Sequence, residues 1–276
     1  MAADINDAFK IQYESEFQHA LQQMGSKLRD TVWNKRVSGS SVRFPILGEA
    51  TSEKNKARHS DLAGDGDAHS NVTAVLDNYV SHRYLDVLDE FKADADYRQG
   101  YTQSIVAKLG RDLDEVILDA AAASNTSFGS AAGMDKALLR GVREAVGEND
   151  WMADEWCWVV TPAVFSDVLG ITEVLSSDYQ QGGYFGDGAK GRSVKAMGFT
   201  FIESSILNSA TYWTSATVHK TYVYNKNSIG LGIGKDITPR IDYVPEKTST
   251  LIAAVMSAGA TTIQPASIYE VAVNGL

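Results

Sequence analysis

Apolar residues recur at helical spacing from the start of the chain. Ile5, Phe9, Tyr13, Phe17 and Leu21 fall every four residues, followed by Met24 and Leu28. This predicts one apolar stripe on a helix, with Asp4 as its N-cap and Gln, Glu, Lys and Ser opposite. Gly25 ends or kinks that helix. No core precedes it in sequence, so its stripe docks either on its own domain or as an arm on a neighbouring subunit. From Val32 to Leu47 the pattern shifts to alternation. Val42, Phe44 and Ile46 point one way, with Arg43 and Pro45 between them. Pro45 lacks the N–H that a central ladder needs, which suits an edge strand. Val72 to Val80 reads as the returning strand.

Between these strands the pattern disappears. From Glu49 to Ser70 the only large aliphatic side chain is Leu62, among eight charges, His59, His69, Gly64 and Gly66. About 20 residues without core-forming side chains are either disordered or reach for something outside their own domain. Two strands feeding such a tip make a long hairpin arm.

Helical spacing returns near Asp94 or Asp96. Tyr97, Tyr101, Ile105, Leu109, Leu113, Val116 and Ala120 follow at intervals of four or three. At ~1.5 Å per residue such a helix spans about 40 Å, a spine for a small domain. Gly100 and Gly110 each weaken it by about 1 kcal/mol relative to Ala. Asp112, Asp114, Glu115 and Asp119 read as its solvated or intersubunit face. A shorter helix, MDKALLRGVREAV, ends at Gly147. The apolar run Trp156-Cys157-Trp158-Val159-Val160 predicts a buried strand. Thr161 and Pro162 then cap and open a helix over Ala163–Leu169, which Gly170 ends.

The rest of the chain reads as β, apart from QQGGYFGDGAKGR, a flexible patch over residues 180–192. SVKAMGFTFIES predicts a strand pair with Phe199, Phe201 and Met197 on one face. HKTYVY is a strand and KNSIGLGIGK a glycine-rich turn or short helix. ITPRIDYV, STLIAAVMSAGATTI and SIYEVAV are further β segments. No internal repeat is found. The fold class is α+β.

Composition narrows the function. The 276 residues are 44% hydrophobic and 22% charged, as in ordinary globular chains, with a net charge of −10. Such a charge disfavours tight binding to nucleic acid through its phosphates. The single cysteine, Cys157, excludes an intrachain disulfide and reads as a structural thiol in a reducing compartment. MAADINDAFK carries no secretory signal pattern, no stretch has the apolar length of a membrane helix, and no lipidation box ends the chain. The expectation is a soluble protein made in a cytoplasm, with no membrane partner.

The motifs that suggest chemistry fail on inspection. Gly230, Gly232, Gly234 and Lys235 mimic a phosphate loop. Ile229 stands where its first glycine belongs, and Asp236 where its Ser or Thr belongs. The dinucleotide fingerprint would need its third glycine at Lys235. His59, Asp61, Asp65, Asp67 and His69 are an inventory for zinc or manganese, but at no ligand spacing and on an unfixed segment. No nucleophile elbow or His-Glu-x-x-His pair occurs. Close backbone packing explains the glycines, and solvated or intersubunit charges explain the rest. Catalytic, cofactor and metal sites are expected to be absent.

The order of elements carries a resemblance. Gly25-Ser26-Lys27-Leu28, Lys56-Ala57-Arg58-His59-Ser60-Asp61, WVVTPAVFSDVLGI and Met197-Gly198-Phe199-Thr200-Phe201 stand out within it. Over nearly its whole length the chain resembles major capsid proteins of tailed bacteriophages, whose shell fold is shared with encapsulins. The resemblance implies an N-terminal arm over 1–37 and an extended loop, the E-loop, over 38–76 laid on the adjacent subunit. It implies a peripheral domain over 77–150 and 236–276, and an axial domain over 151–235. Phe9, Tyr13, Phe17 and Leu21 would dock the arm. Glu53, Lys54, Lys56, Arg58, His59, Asp61, Asp65 and Asp67 would make intersubunit contacts. Gly182, Gly183, Tyr184, Phe185, Lys190 and Arg192 would lie near the five-fold and six-fold axes. Some relatives join an E-loop lysine covalently to a neighbour's asparagine. Lys54 and Lys56 lie in that region, with no partner assigned.

The implied partners are copies of the chain itself in hexamers and pentamers, a scaffolding protein, a portal and a decoration or cement protein. Double-stranded DNA would be enclosed but not bound by sequence. The place would be the virion capsid, assembled in the host bacterial cytoplasm. Two rival readings remain: an encapsulin-like nanocompartment shell, and a soluble metal-dependent hydrolase using His59 and His69.

Overall fold

Period-two and period-3.6 segments alternate in the chain, and its elements follow them. A computed structural model describes residues 25–48, 58, 69–86, 97–123, 126–129, 133–148, 155–171, 193–215 and 218–274. In chain order its strands and helices are β1 (Trp33–Arg36), β2 (Ser41–Ile46), β3 (Ser70–Val75), β4 (Asp77–Asp86), α1 (Tyr97–Ala122), β5 (Thr126–Gly129), α2 (Lys136–Gly147), β6 (Trp156–Val160), α3 (Pro162–Gly170), β7 (Ser193–Ala196), β8 (Phe199–Glu203), β9 (Trp213–Ser215), β10 (Val218–Asn225), β11 (Ile229–Val244), β12 (Ser249–Thr262) and β13 (Ile268–Asn274).

These residues form two compact units. Of the described residues the first takes in 25–26, 78–86, 97–113 and 235–257, and the second the remainder. The helix α1 and the strands β4, β11 and β12 supply residues to both. In the first unit the later part of β11 pairs with β12, and β12 with β4. Ile252, Ala254 and Met256 alternate as buried residues on β12. Ile105, Leu109 and Leu113 are the buried stripe of α1 there. The Arg83 guanidinium lies over the Tyr101 ring, 5.2 Å from its centroid. Gly110 has a packing reason: a Cβ on it would lie 2.7 Å from the backbone of Gly25, which adopts φ +79°.

The second unit is built on a sheet ordered β5-β13-β10-β6-β8-β7, with β9 also on β10. The central pairs β13–β10 and β10–β6 are antiparallel, while β6–β8 is parallel. All five residues of β6 are buried. Leu138, Leu139, Val142 and Val146 of α2 join Val164, Phe165 and Val168 of α3 in one core with Trp158, Phe199 and Phe201. Trp158 stacks on Phe201 at 5.2 Å and meets Phe199 edge-on at 5.4 Å. Its Nε1 donates to Thr221 Oγ1 at 3.0 Å, so the buried indole keeps its hydrogen bond. Both helices are capped by side chains. Asp135 accepts from Leu138 N at 2.8 Å, and Thr161 from Val164 N at 3.3 Å.

Four sequence expectations need correction. The glycine-rich KNSIGLGIGK is neither loop nor helix beyond its turn at residues 226–228; Ile229 onward is strand, continuous with ITPRIDYV in β11. Val72–Val80 is not one strand, because the pairing changes at Leu76, whose N–H donates to Ser40 O at 2.9 Å. Met197 does not share a face with Phe199 and Phe201. It sits in the β7–β8 turn with φ +51° and is 46% exposed. The acidic run on α1 is not uniformly solvated, since Asp114 is 1% exposed.

Candidate functional site

The chain enters the second unit through a short segment, Lys27–Thr31, held from three sides. Asp114 of α1 is four residues after Gly110 and three before Ile117, which puts it on the apolar face of the helix. Its Oδ1 accepts from Lys27 N at 3.1 Å and Leu28 N at 3.0 Å, and its Oδ2 accepts from Lys27 N at 3.1 Å. A buried carboxylate needs such donors, and backbone amides bound to a charged acceptor make stronger bonds than neutral pairs. Lys27 Nζ donates to the Glu203 carbonyl of β8 at 2.9 Å. Leu28 is fully buried. Thr31 Oγ1 donates to Leu28 O at 2.7 Å, so the buried Tyr224 hydroxyl of β10 donates to Thr31 at 2.8 Å.

The second root is the hairpin β2–β3. Its register runs from Ser41 opposite Val75 to Ile46 opposite Ser70. Val42, Phe44 and Ala74 are its buried face and pack with Ile263. The alternation seen in sequence therefore holds, with Pro45 in a two-stranded sheet where an absent N–H costs little. Phe44 and Val42 rest on the backbone of β11. A Cβ on Gly230 would lie 2.7 Å from the Phe44 ring, and one on Gly232 would lie 2.5 Å from Val42 Cγ1. The glycines that resemble a phosphate loop are thus a track for the hairpin. Gly259 of β12 closes the same packing; a Cβ there would meet the Val75 carbonyl oxygen at 1.9 Å. Trp33 of β1 meets Phe44 edge-on at 5.3 Å, and Lys35 Nζ donates to Arg43 O at 3.1 Å. The strand β1 itself pairs in parallel with β11, from Trp33 opposite Gly230 to Arg36 opposite Ile233.

An open pocket of about 660 Å³ lies at Asp30, Glu155, Cys157, Lys195, Asn225 and Lys226. Three of its residues, Glu155, Lys195 and Asn225, are joined to one another. Lys195 pairs with Glu155 at 3.2 Å, and Asn225 Nδ2 donates to Glu155 O at 2.8 Å. Burial, with the nearby Glu155 carboxylate, pushes the Cys157 thiol up to about 11, far from a reactive thiolate. Among the described residues no three His, Cys, Asp or Glu side chains gather as metal ligands.

Most residues singled out from sequence lie outside the described residues. These are Phe9, Tyr13, Phe17 and Leu21, then Glu53, Lys54, Lys56, His59, Asp61, Asp65 and Asp67, and also Gly182, Gly183, Tyr184, Phe185, Lys190 and Arg192. Arg58 is described and exposed. Sequence reading missed Asp114, Tyr224 and Gly259. No local pattern in the sequence marks any of the three.

The model of the phage capsid protein family matches residues 5–274. The chain belongs to that family. Solved shells share its fold. The capsid protein of the cyanophage P-SCSP1u superposes with TM-score 0.76 at 18% identity, over 100% of this chain and 96% of its own. The capsid of a native GTA particle gives 0.72 at 13%, over 99% and 98%. A virus-like particle from Pyrococcus furiosus gives 0.60 at 14%, over 90% and 92%. No curated protein matches the sequence. The α+β shell fold is thereby established, and the chain is a structural subunit of a phage capsid. Capsid subunits act by self-assembly, so the surfaces that matter are those that would meet other copies. The encapsulin reading is the weaker one, since the family that matches is a phage family.

Proposed function

We propose that the chain is the major capsid protein of a tailed phage, forming hexamers and pentamers of an icosahedral head that encloses double-stranded DNA. In this reading residues 1–37 are the N-terminal arm and 38–76 the E-loop laid over an adjacent subunit. Residues 77–150 with 236–276 are the peripheral domain, and 151–235 the axial domain with its glycine-rich tip. Scaffolding protein, portal and decoration or cement protein are its partners, the host bacterial cytoplasm is where it assembles, and it carries no catalytic activity.

The observation that supports this best is the asymmetry of the hairpin. Its base is fixed by Phe44 and Val42 on glycines of β11, while residues 49–68 carry charge and one large aliphatic side chain. A rigid root under a polar tip is a lever for gripping a neighbour. Charges at the tip would pair across subunits at about 0–1 kcal/mol each, so strength comes from many copies. The net charge of −10 keeps the inner surface from adhering to packaged DNA.

The test replaces residues 49–68 with an Asn-Gly turn, which suits a two-residue hairpin. The expected product is a folded subunit with wild-type circular dichroism that makes no closed shells under conditions where the full chain does. Normal shells from the shortened chain would refute the E-loop assignment.

A further inference from the structure

We propose that Asp114 is a positioning residue for assembly: its carboxylate makes Lys27–Thr31 the fixed root from which the N-terminal arm acts. The inference rests on the reading of residues 1–37 as an N-terminal arm, whose part before Gly25 would reach other copies. It adds where that arm is fastened and by which side chain.

A connecting segment needs no side-chain anchors, yet this one has several, each distant in sequence. Lys27 and Leu28 bind Asp114 of α1, 87 and 86 residues away. Lys27 Nζ reaches the Glu203 carbonyl of β8, 176 residues away, and Thr31 reaches Tyr224 of β10, 193 residues away. Leu28 and Tyr224 are fully buried, and Asp114 is 1% exposed. Three of the segment's five residues are thus tied to a helix and two sheet strands. The ties differ in weight. Asp114 is the one carboxylate among them, and without it the backbone N–H groups of Lys27 and Leu28 lose this acceptor at the point where the chain enters the core. An unpaired buried donor is costly, so the chain would leave the site rather than remain there unpaired. A load on the arm would pass through Lys27 and Leu28 into α1. Removing the carboxylate loosens the hold on Lys27 and Leu28 without touching the large core around Trp158.

The experiment compares the full chain with Asp114→Ala, Asp114→Asn, Thr31→Val and a chain lacking residues 1–24. Hydrogen exchange of the unassembled subunit reports on residues 27–31, and electron microscopy reports on particles. Asp114→Ala is expected to speed exchange at Lys27 and Leu28 by at least about tenfold, with exchange in β6 and β10 unchanged. It should also reproduce the assembly defect of the chain lacking 1–24. Asp114→Asn, which keeps one acceptor oxygen, should fall between. Thr31→Val, which loses the bonds to Tyr224 and to the Leu28 carbonyl but keeps the carboxylate, should show a smaller effect in the same direction. If Asp114→Ala does not fold, Asp114→Asn and Thr31→Val carry the test alone.

Loosened residues 27–31 with wild-type shells would overturn the proposal, as would unchanged exchange in any folded Asp114 variant. Normal shells from the chain lacking 1–24 would instead overturn the arm reading, whatever Asp114 does. The two failures are therefore distinct.

Discussion

Single atoms decide much of this fold, and glycines show it most directly. At Gly259 a methyl group would meet a carbonyl oxygen at 1.9 Å, so backbone must move. Gly259→Ala is expected to destabilise the unassembled subunit by roughly 3 kcal/mol or more, measured by urea denaturation. At Gly147, the end of α2, an added methyl group would have nothing within 4 Å, and the backbone φ there is not left-handed. Gly147→Ala should be neutral or stabilising by up to about 1 kcal/mol, because alanine lowers the entropy of the unfolded chain. Equal losses at both positions would discredit the close-packing explanation. Cys157 gives a pH prediction. Burial raises its thiol from the ordinary 9.0 to about 11. The folded state therefore holds the proton more tightly than the unfolded state. That contribution is complete below pH 9 and is lost as pH rises toward 11. Tyr212, Tyr222 and Tyr224 are likewise raised, chiefly by burial, and add to the loss at higher pH. Stability should fall from about pH 9 upward, and Cys157→Ala should flatten the first part of that fall. A profile identical in the variant would show that the thiol is not the group responsible.

Elements were legible in the sequence where one periodicity ruled. The spine helix runs over Tyr97–Ala122, where its apolar stripe repeats over many turns, while the expected start at Asp94 or Asp96 lies outside the described residues. Thr161-Pro162 opens α3 as its capping chemistry requires. The hairpin was legible in Val42, Phe44 and Ile46. What resisted reading was glycine in β11 and acid in α1. Gly230 and Gly232 suggest a turn by local propensity, whereas they lie in strand, packed against Phe44 and Val42. Asp114 looks like surface until the N–H groups of Lys27 and Leu28, far away in sequence, supply its partners. Both cases are contacts at long range, which a local pattern does not carry. The hairpin root is where this scale can be tested. Phe44→Ala removes a buried ring from the glycine track and should cost about 3–5 kcal/mol. Asp135→Ala, which removes only the cap of α2, should cost about 1 kcal/mol. Denaturation midpoints of the two variants would compare them, and a reversed order would mean that the hairpin base is not a packed part of the unit.

At the scale of the whole molecule, membership of the phage capsid protein family covers residues 5–274 and fixes what the fold is for. A subunit of a shell has to offer surfaces that are incomplete alone. Unit one carries large apolar side chains in the open: Val80 is 61% exposed, Tyr243 57% and Ile241 47%. Leu47, at the outer end of the described hairpin, is 78% exposed. Such residues are individually ordinary on a protein surface. In a chain that assembles, burial of these side chains by sister copies is an expected outcome that a map of the shell would check. The packed base of the hairpin and the polar sequence of residues 49–68 are consistent with that reading. The most direct test is a density map of assembled particles in which residues 49–68 are traced. The account predicts that this segment lies against a different copy of the chain. A trace that folds back onto its own subunit throughout the shell would contradict it.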